Sequence, residues 1–95
     1  MSAVSVACRR AEDGWACEVT VGADADATRH TVTVSDQVLG MLDPDAADPT
    51  ALVEASFQFL LERESRESIL NSFALPVIGR YFPEWERQMR RRGSG

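Results

Sequence analysis

Ninety-five residues, 44% apolar and 26% charged, suffice for one domain around a single core, and that composition excludes a disordered chain. No apolar run approaches the roughly 18 residues of a spanning helix, and the start MSAVSVACRR has no basic stretch followed by an apolar one, so neither membrane insertion nor secretion is expected and a cytoplasmic location follows. Fifteen acids against ten basic residues, all Arg, give a net charge of -5, which opposes a sequence-independent hold on nucleic-acid phosphates.

Three alternating runs open the chain. Val4, Val6 and Cys8 face one way and Ser5, Ala7 and Arg9 the other, the pattern of a half-buried strand. The Asp13-Gly14 pair marks a tight hairpin, after which Trp15, Cys17, Val19 and Val21 alternate with polar and small residues. For the two apolar faces to coincide, Cys8 lies opposite either Cys17 or Val19, and only the first register permits a disulfide. Two isolated cysteines in a cytoplasmic chain read as small buried side chains rather than as a redox pair.

The acidic connection GADADA, residues 22–27, leads to a third alternating run, with His30, Val32 and Val34 inward. A symmetric loop pairs Val19 with His30, Cys17 with Val32 and Trp15 with Val34. His30, the lone histidine, reads as a spacer or local hydrogen-bond partner, since no second His shares a metal. Asp24 and Asp26 lack the spacing of a calcium loop and read as a solvated turn.

Ser35 suits a helix cap with Asp36 in the first turn, and Val38, Leu39, Met41 and Leu42 supply the apolar face of a short helix ending before Pro44. Asp48-Pro49 starts the next one. From Pro49 to Glu64 the residues Leu52, Val53, Phe57, Leu60 and Leu61 recur at helical spacing, with Phe59 and Ala55 widening the stripe. Glu62 with Arg66 and Arg63 with Glu67 support continued helix, with a bend at Ser65. A second apolar turn, Ile69, Leu70 and Phe73, ends ahead of Pro76. Val77, Ile78, Tyr81 and Phe82 form a third short helix, and Pro83 starts a last one on which Trp85 and Met89 share a face.

The segment from Ser56 through Trp85 resembles a stretch of small uncharacterised bacterial proteins in which FLLERE, SIL, a Phe-x-Leu-Pro-x-Ile core and RYFPEWE recur in this order. The likeness covers about a third of the chain and implies a shared fold and partner, but no activity.

The expected architecture is α+β: a single domain over residues 1–92, with a three-stranded antiparallel β-meander at 3–34 and a helical half at 36–92. That half comprises a short helix and three to four further helices packed on one face of the sheet, and residues 93–95 are a disordered tail. The expected core takes the inward strand residues Val4, Val6, Cys8, Cys17, Val19, Val21, Val32 and Val34. To these it adds Leu39, Leu42, Val53, Phe57, Leu60, Leu61, Ile69, Leu70, Phe73, Ile78 and Phe82.

No nucleophile, base and orienting group assemble from one His, two strand Cys and scattered acids, so no enzyme, cofactor or metal is expected. The expected function is a non-enzymatic protein-interaction or regulatory module that binds another protein or a second copy of itself as a homodimer. Arg80, Tyr81, Phe82, Trp85 and Arg87 form its candidate surface, because aromatic and Arg side chains dominate interface hot spots; the competing reading is that Tyr81, Phe82 and Trp85 close the core instead. The alternative is a nucleic-acid-binding helix-turn-helix built from Ser68–Phe73 and Pro76–Tyr81 with the Arg-rich tail on phosphates.

Overall fold

The computed structural model describes residues 3–23 and 25–94, and side chains to Arg92. Strands β1 (Val4–Ala11), β2 (Gly14–Val21) and β3 (Thr28–Ser35) form the expected antiparallel meander. The hairpin turn is made by Glu12 and Asp13, and Asp13 takes a positive φ of 60°. Gly14 opens β2 instead of closing the turn, because a Cβ there would run into the Val34 carbonyl.

The β1–β2 register sets Cys8 opposite Cys17, and the two are joined in a disulfide. This replaces the expected pair of separate thiols. In the β2–β3 register Trp15, Cys17 and Val19 face Val34, Val32 and His30, the pairing a symmetric loop requires. The Gly22 N–H donates to the Ala3 carbonyl at 2.7 Å, so the odd residues of β1 are those bonded to β2, and the Cys8–Cys17 pair is a non-hydrogen-bonded one. Asp24, read above as part of a solvated turn, lies outside the described residues.

Helix α1 (Asp36–Leu42) is capped as its sequence dictates: the Ser35 hydroxyl accepts the Val38 N–H at 3.1 Å. Helix α2 (Thr50–Leu61) begins where Asp48 accepts the Thr50 N–H at 2.9 Å, just after buried Pro49. It buries Leu52, Val53, Ser56, Phe57, Phe59 and Leu60. It ends earlier than Glu64: Ser65 is extended, and a single 3-10 turn follows at Arg66–Ser68. The ion pairs expected along a continuous helix do not form. Arg63 instead meets Glu62 and Glu84, and Arg66 meets Glu67.

The largest departure lies at Ile69 to Ala74, which is extended instead of helical. Ser72–Ala74 forms a fourth strand, β4, parallel to β3, so the α+β sheet is mixed and four-stranded in the order β1-β2-β3-β4. The physical reason is the edge of β3: its Thr31 N–H needs a partner and finds the Asn71 carbonyl at 2.7 Å. A 3-10 turn at Leu75–Val77 leads into the one-turn helix α3 (Ile78–Tyr81), and α4 (Glu84–Ser94) follows. Helical residues Gly93 and Ser94 thus extend α4 into the segment expected to be disordered, and Gly95 lies outside the described residues.

The helices cover one face of the sheet. Between the layers sit Cys17, Val19, Val21, Val32 and Val34 of the strands against Leu52, Val53, Phe57, Leu75, Trp85 and Met89. Of the expected core, Val4, Val6, Cys8, Leu61, Phe73 and Phe82 are half-buried, and Leu70 is exposed. Leu70 leaves the core because its extended segment turns successive side chains to opposite sides.

Candidate interaction site

The segment linking α2 to α3 is held to the sheet by a buried histidine. His30 is 1% exposed, with Nδ1 2.7 Å from the Leu70 carbonyl and Nε2 3.0 Å from the Thr28 hydroxyl. A carbonyl only accepts, so Nδ1 carries the hydrogen and donates to Leu70, while Nε2 is hydrogen-bonded to the Thr28 hydroxyl. Both ring nitrogens are engaged, and the ring packs on Phe57 at 5.3 Å. Phe73 stacks on Phe57 at 6.1 Å.

Extending this segment opens an apolar groove of about 360 Å³. Its floor is Leu60, Ile69, Phe73 and Ile78, and its rims are Leu70 and Tyr81. Leu70 is 50% and Tyr81 68% exposed. Phe82 closes one end, packed edge-on against Phe59 at 5.8 Å. Glu64 lies on the wall, half-buried, and its carboxylate has no cationic partner among the described residues.

The five residues expected to form one surface are divided. Tyr81 and Phe82, exposed and half-buried, line the groove, whereas Arg80 and Arg87 are exposed but outside its lining. Trp85 is not: at 2% exposure it is a core residue, and it leaves the candidate surface. Its Nε1–H donates to the Ser56 hydroxyl at 3.0 Å, and that hydroxyl donates to the Leu52 carbonyl at 2.8 Å. A single small polar residue inside α2 thus satisfies the indole where an apolar one could not. Leu70, Phe73 and Glu64 are the groove residues that the aromatic pattern alone does not single out.

The electrostatics of the rest are local. Arg10 lies over the Trp15 ring at 5.0 Å and binds both Asp36 oxygens, at 2.8 and 3.3 Å. The hydrogen bond from Arg10 holds the Asp36 carboxyl below its ordinary pKa. Bonds from Thr50 do the same for Asp48, and the backbone N–H and Arg66 for Glu67. Arg92 reaches Asp43 at 3.4 Å, so part of the basic tail turns onto the acidic loop of its own chain. Arg63, stacked 3.6 Å over Phe59 and paired with Glu84, ties α2 to α4.

The helix pair expected of a helix-turn-helix is not formed, since Ser68 ends a 3-10 turn and the chain from Ile69 runs extended into β4. Among the described residues no three His, Cys, Asp or Glu side chains gather to hold a metal, and no helix is long and apolar enough to cross a membrane. Comparison with family models, with curated proteins and with solved structures finds no match.

Proposed function

We propose that this chain is a small non-enzymatic interaction module that takes an apolar segment of a partner protein into the groove between β4 and α3. The observation that carries the reading is the exposure of Leu70 and Tyr81 in the lining of a groove whose other apolar residues are buried or half-buried. Large apolar side chains that rim a concavity gain most when a partner covers them. The unpaired carboxylate of Glu64 favours a partner carrying Lys or Arg next to its apolar anchor. Arg80 and Arg87 lie outside this lining.

The reading as a non-enzyme is supported by the state of the reactive groups: His30 has both nitrogens engaged, and the cysteines are joined. That disulfide favours an oxidising compartment over the cytoplasm expected from the sequence. The nucleic-acid alternative loses the helix pair on which it rested.

The test is recovery of partners by tagged wild-type chain and by the Leu70→Ser, Tyr81→Ser double variant. A specific partner held by the wild type and lost by a variant of unchanged melting temperature supports the reading. Equal recovery by both, or none by either, defeats it.

A further inference from the structure

The strand at the far side of the sheet from the groove has an open edge. Because the odd residues of β1 bond to β2, the N–H and C=O groups of Val4, Val6, Cys8 and Arg10 turn outward, two on each of four residues. None of them is bonded among the described residues. Edges of this length are ordinarily blunted by Pro, charged side chains, a bulge or a covering segment. Strand β1, VSVACRRA, has no Pro, carries its charges only on Arg9 and Arg10 at one end, and pairs with β2 without a bulge. Its inward side chains Val4, Val6 and Cys8 are only half-buried, whereas Cys17, Val19 and Val21 behind them are buried. The core thins towards this edge.

We propose that β1 pairs antiparallel with β1 of a second copy about a two-fold axis at Ala7, fusing two four-stranded sheets into one. Inward residues must face inward residues across the new ladder. One register does this and uses every outward group: Val4 faces Arg10 of the second copy, and Val6 faces its Cys8. On the outer face Ala7 then meets itself, and Arg9 lies opposite Ser5 of the second copy. Ser5 and Ala7 are small, so the Arg9 guanidinium lies across them towards Glu18. Among the described residues Arg9 has no partner, and Glu18 meets only the Thr31 hydroxyl, at 3.3 Å. The charges match across the axis, and the second copy supplies both the missing hydrogen bonds and the cover for Val4 and Val6.

Light scattering after size exclusion tests this first. The expected mass is twice 10.5 kDa, falling to the single mass in Val6→Pro, which removes an outward N–H without touching a β1–β2 bond. Thiol crosslinking fixes the register and keeps the test open if Val6→Pro misfolds. Ala7→Cys places two introduced thiols across the axis at a spacing of about 4.5 Å between Cα atoms, which suits a disulfide. Ser5→Cys sets them about 13 Å apart. A covalent dimer from Ala7→Cys and none from Ser5→Cys is the expected pattern. A monomer at every concentration up to about 1 mM, or equal crosslinking at both positions, overturns the proposal. Leu70→Ser with Tyr81→Ser leaves the dimer intact, so this edge and the groove fail separately.

Discussion

Trp85 donates its indole N–H to the Ser56 hydroxyl at 3.0 Å, a bond between the middle of α2 and the start of α4 in the centre of the molecule. It decides which aromatic residues of the C-terminal segment are structural. Ser56→Ala leaves the indole nitrogen buried and unpaired, at a cost of about 1–3 kcal/mol. Trp85→Ala empties a fully packed site and costs about 3–5 kcal/mol. Tyr81→Ala, at an exposed rim, stays within about 0.5 kcal/mol. Urea denaturation of the three variants checks the order, and a Tyr81→Ala loss as large as that of Ser56→Ala contradicts it.

The meander, the β2–β3 register and the cap of α1 are legible because each rests on local rules: alternation, a symmetric loop, and Ser35 just ahead of an apolar period. The β1–β2 register stays open between Cys17 and Val19 opposite Cys8 until the structure selects Cys17. The link to α3 is not legible. Ile69 and Phe73 are four apart, which suits a helix, and both are odd-numbered, which suits a strand. Leu70 discriminates, being inward in the first case and outward in the second. What settles it is the unpaired edge of β3, a contact about 40 residues away in sequence that no local pattern carries. The groove was missed for the same reason, since it exists only when residues 69–74 are extended. The sequence leaves Trp85 between core and surface because an aromatic followed by Arg residues reads alike for a core anchor and a hot spot, and only the buried Ser56 tells them apart.

His30→Ala removes the donor to Leu70 and frees the segment before β4. Amide exchange at Thr31, whose N–H is bonded to Asn71, is then expected to accelerate far more than exchange at Cys17 in the centre of the sheet. The groove loses its floor with it. Uniform acceleration at both amides would show instead that His30 supports the whole fold and not this strand.

Reduction of Cys8–Cys17 releases a short loop, with a sequence separation of 9, and the loop-entropy relation puts the loss of stability at about 2.5 kcal/mol. Melting with and without dithiothreitol measures it. Cys17 is fully buried and Cys8 half-buried, so the fold restricts the approach of a reductant to the bond. Under native conditions reduction is therefore expected to be slow compared with that in urea.

Acid lowers stability through the carboxylates whose folded pKa values are depressed. Asp36, Asp48 and Glu67 are bonded to Arg10, Thr50 and, for Glu67, its own backbone N–H with Arg66. The unfolded chain takes up protons at about pH 3.9–4.3 and the folded chain lower. Their contribution is therefore complete above that range and is lost as the pH falls through the folded values. Urea midpoints across the acid range check the sign. Asp36→Asn is expected to flatten the acid limb and leave the neutral midpoint lower than in the wild type.

The central claim is that the rims of the groove, and not Trp85, meet the partner. Incorporating p-benzoylphenylalanine at Tyr81, and in a separate chain at the exposed Met41 on α1, then irradiating the producing cells, tests it most directly. A discrete adduct from position 81, absent from position 41 and abolished by Leu70→Ser, is the result expected. No adduct at position 81, or the same adducts from both positions, contradicts the claim.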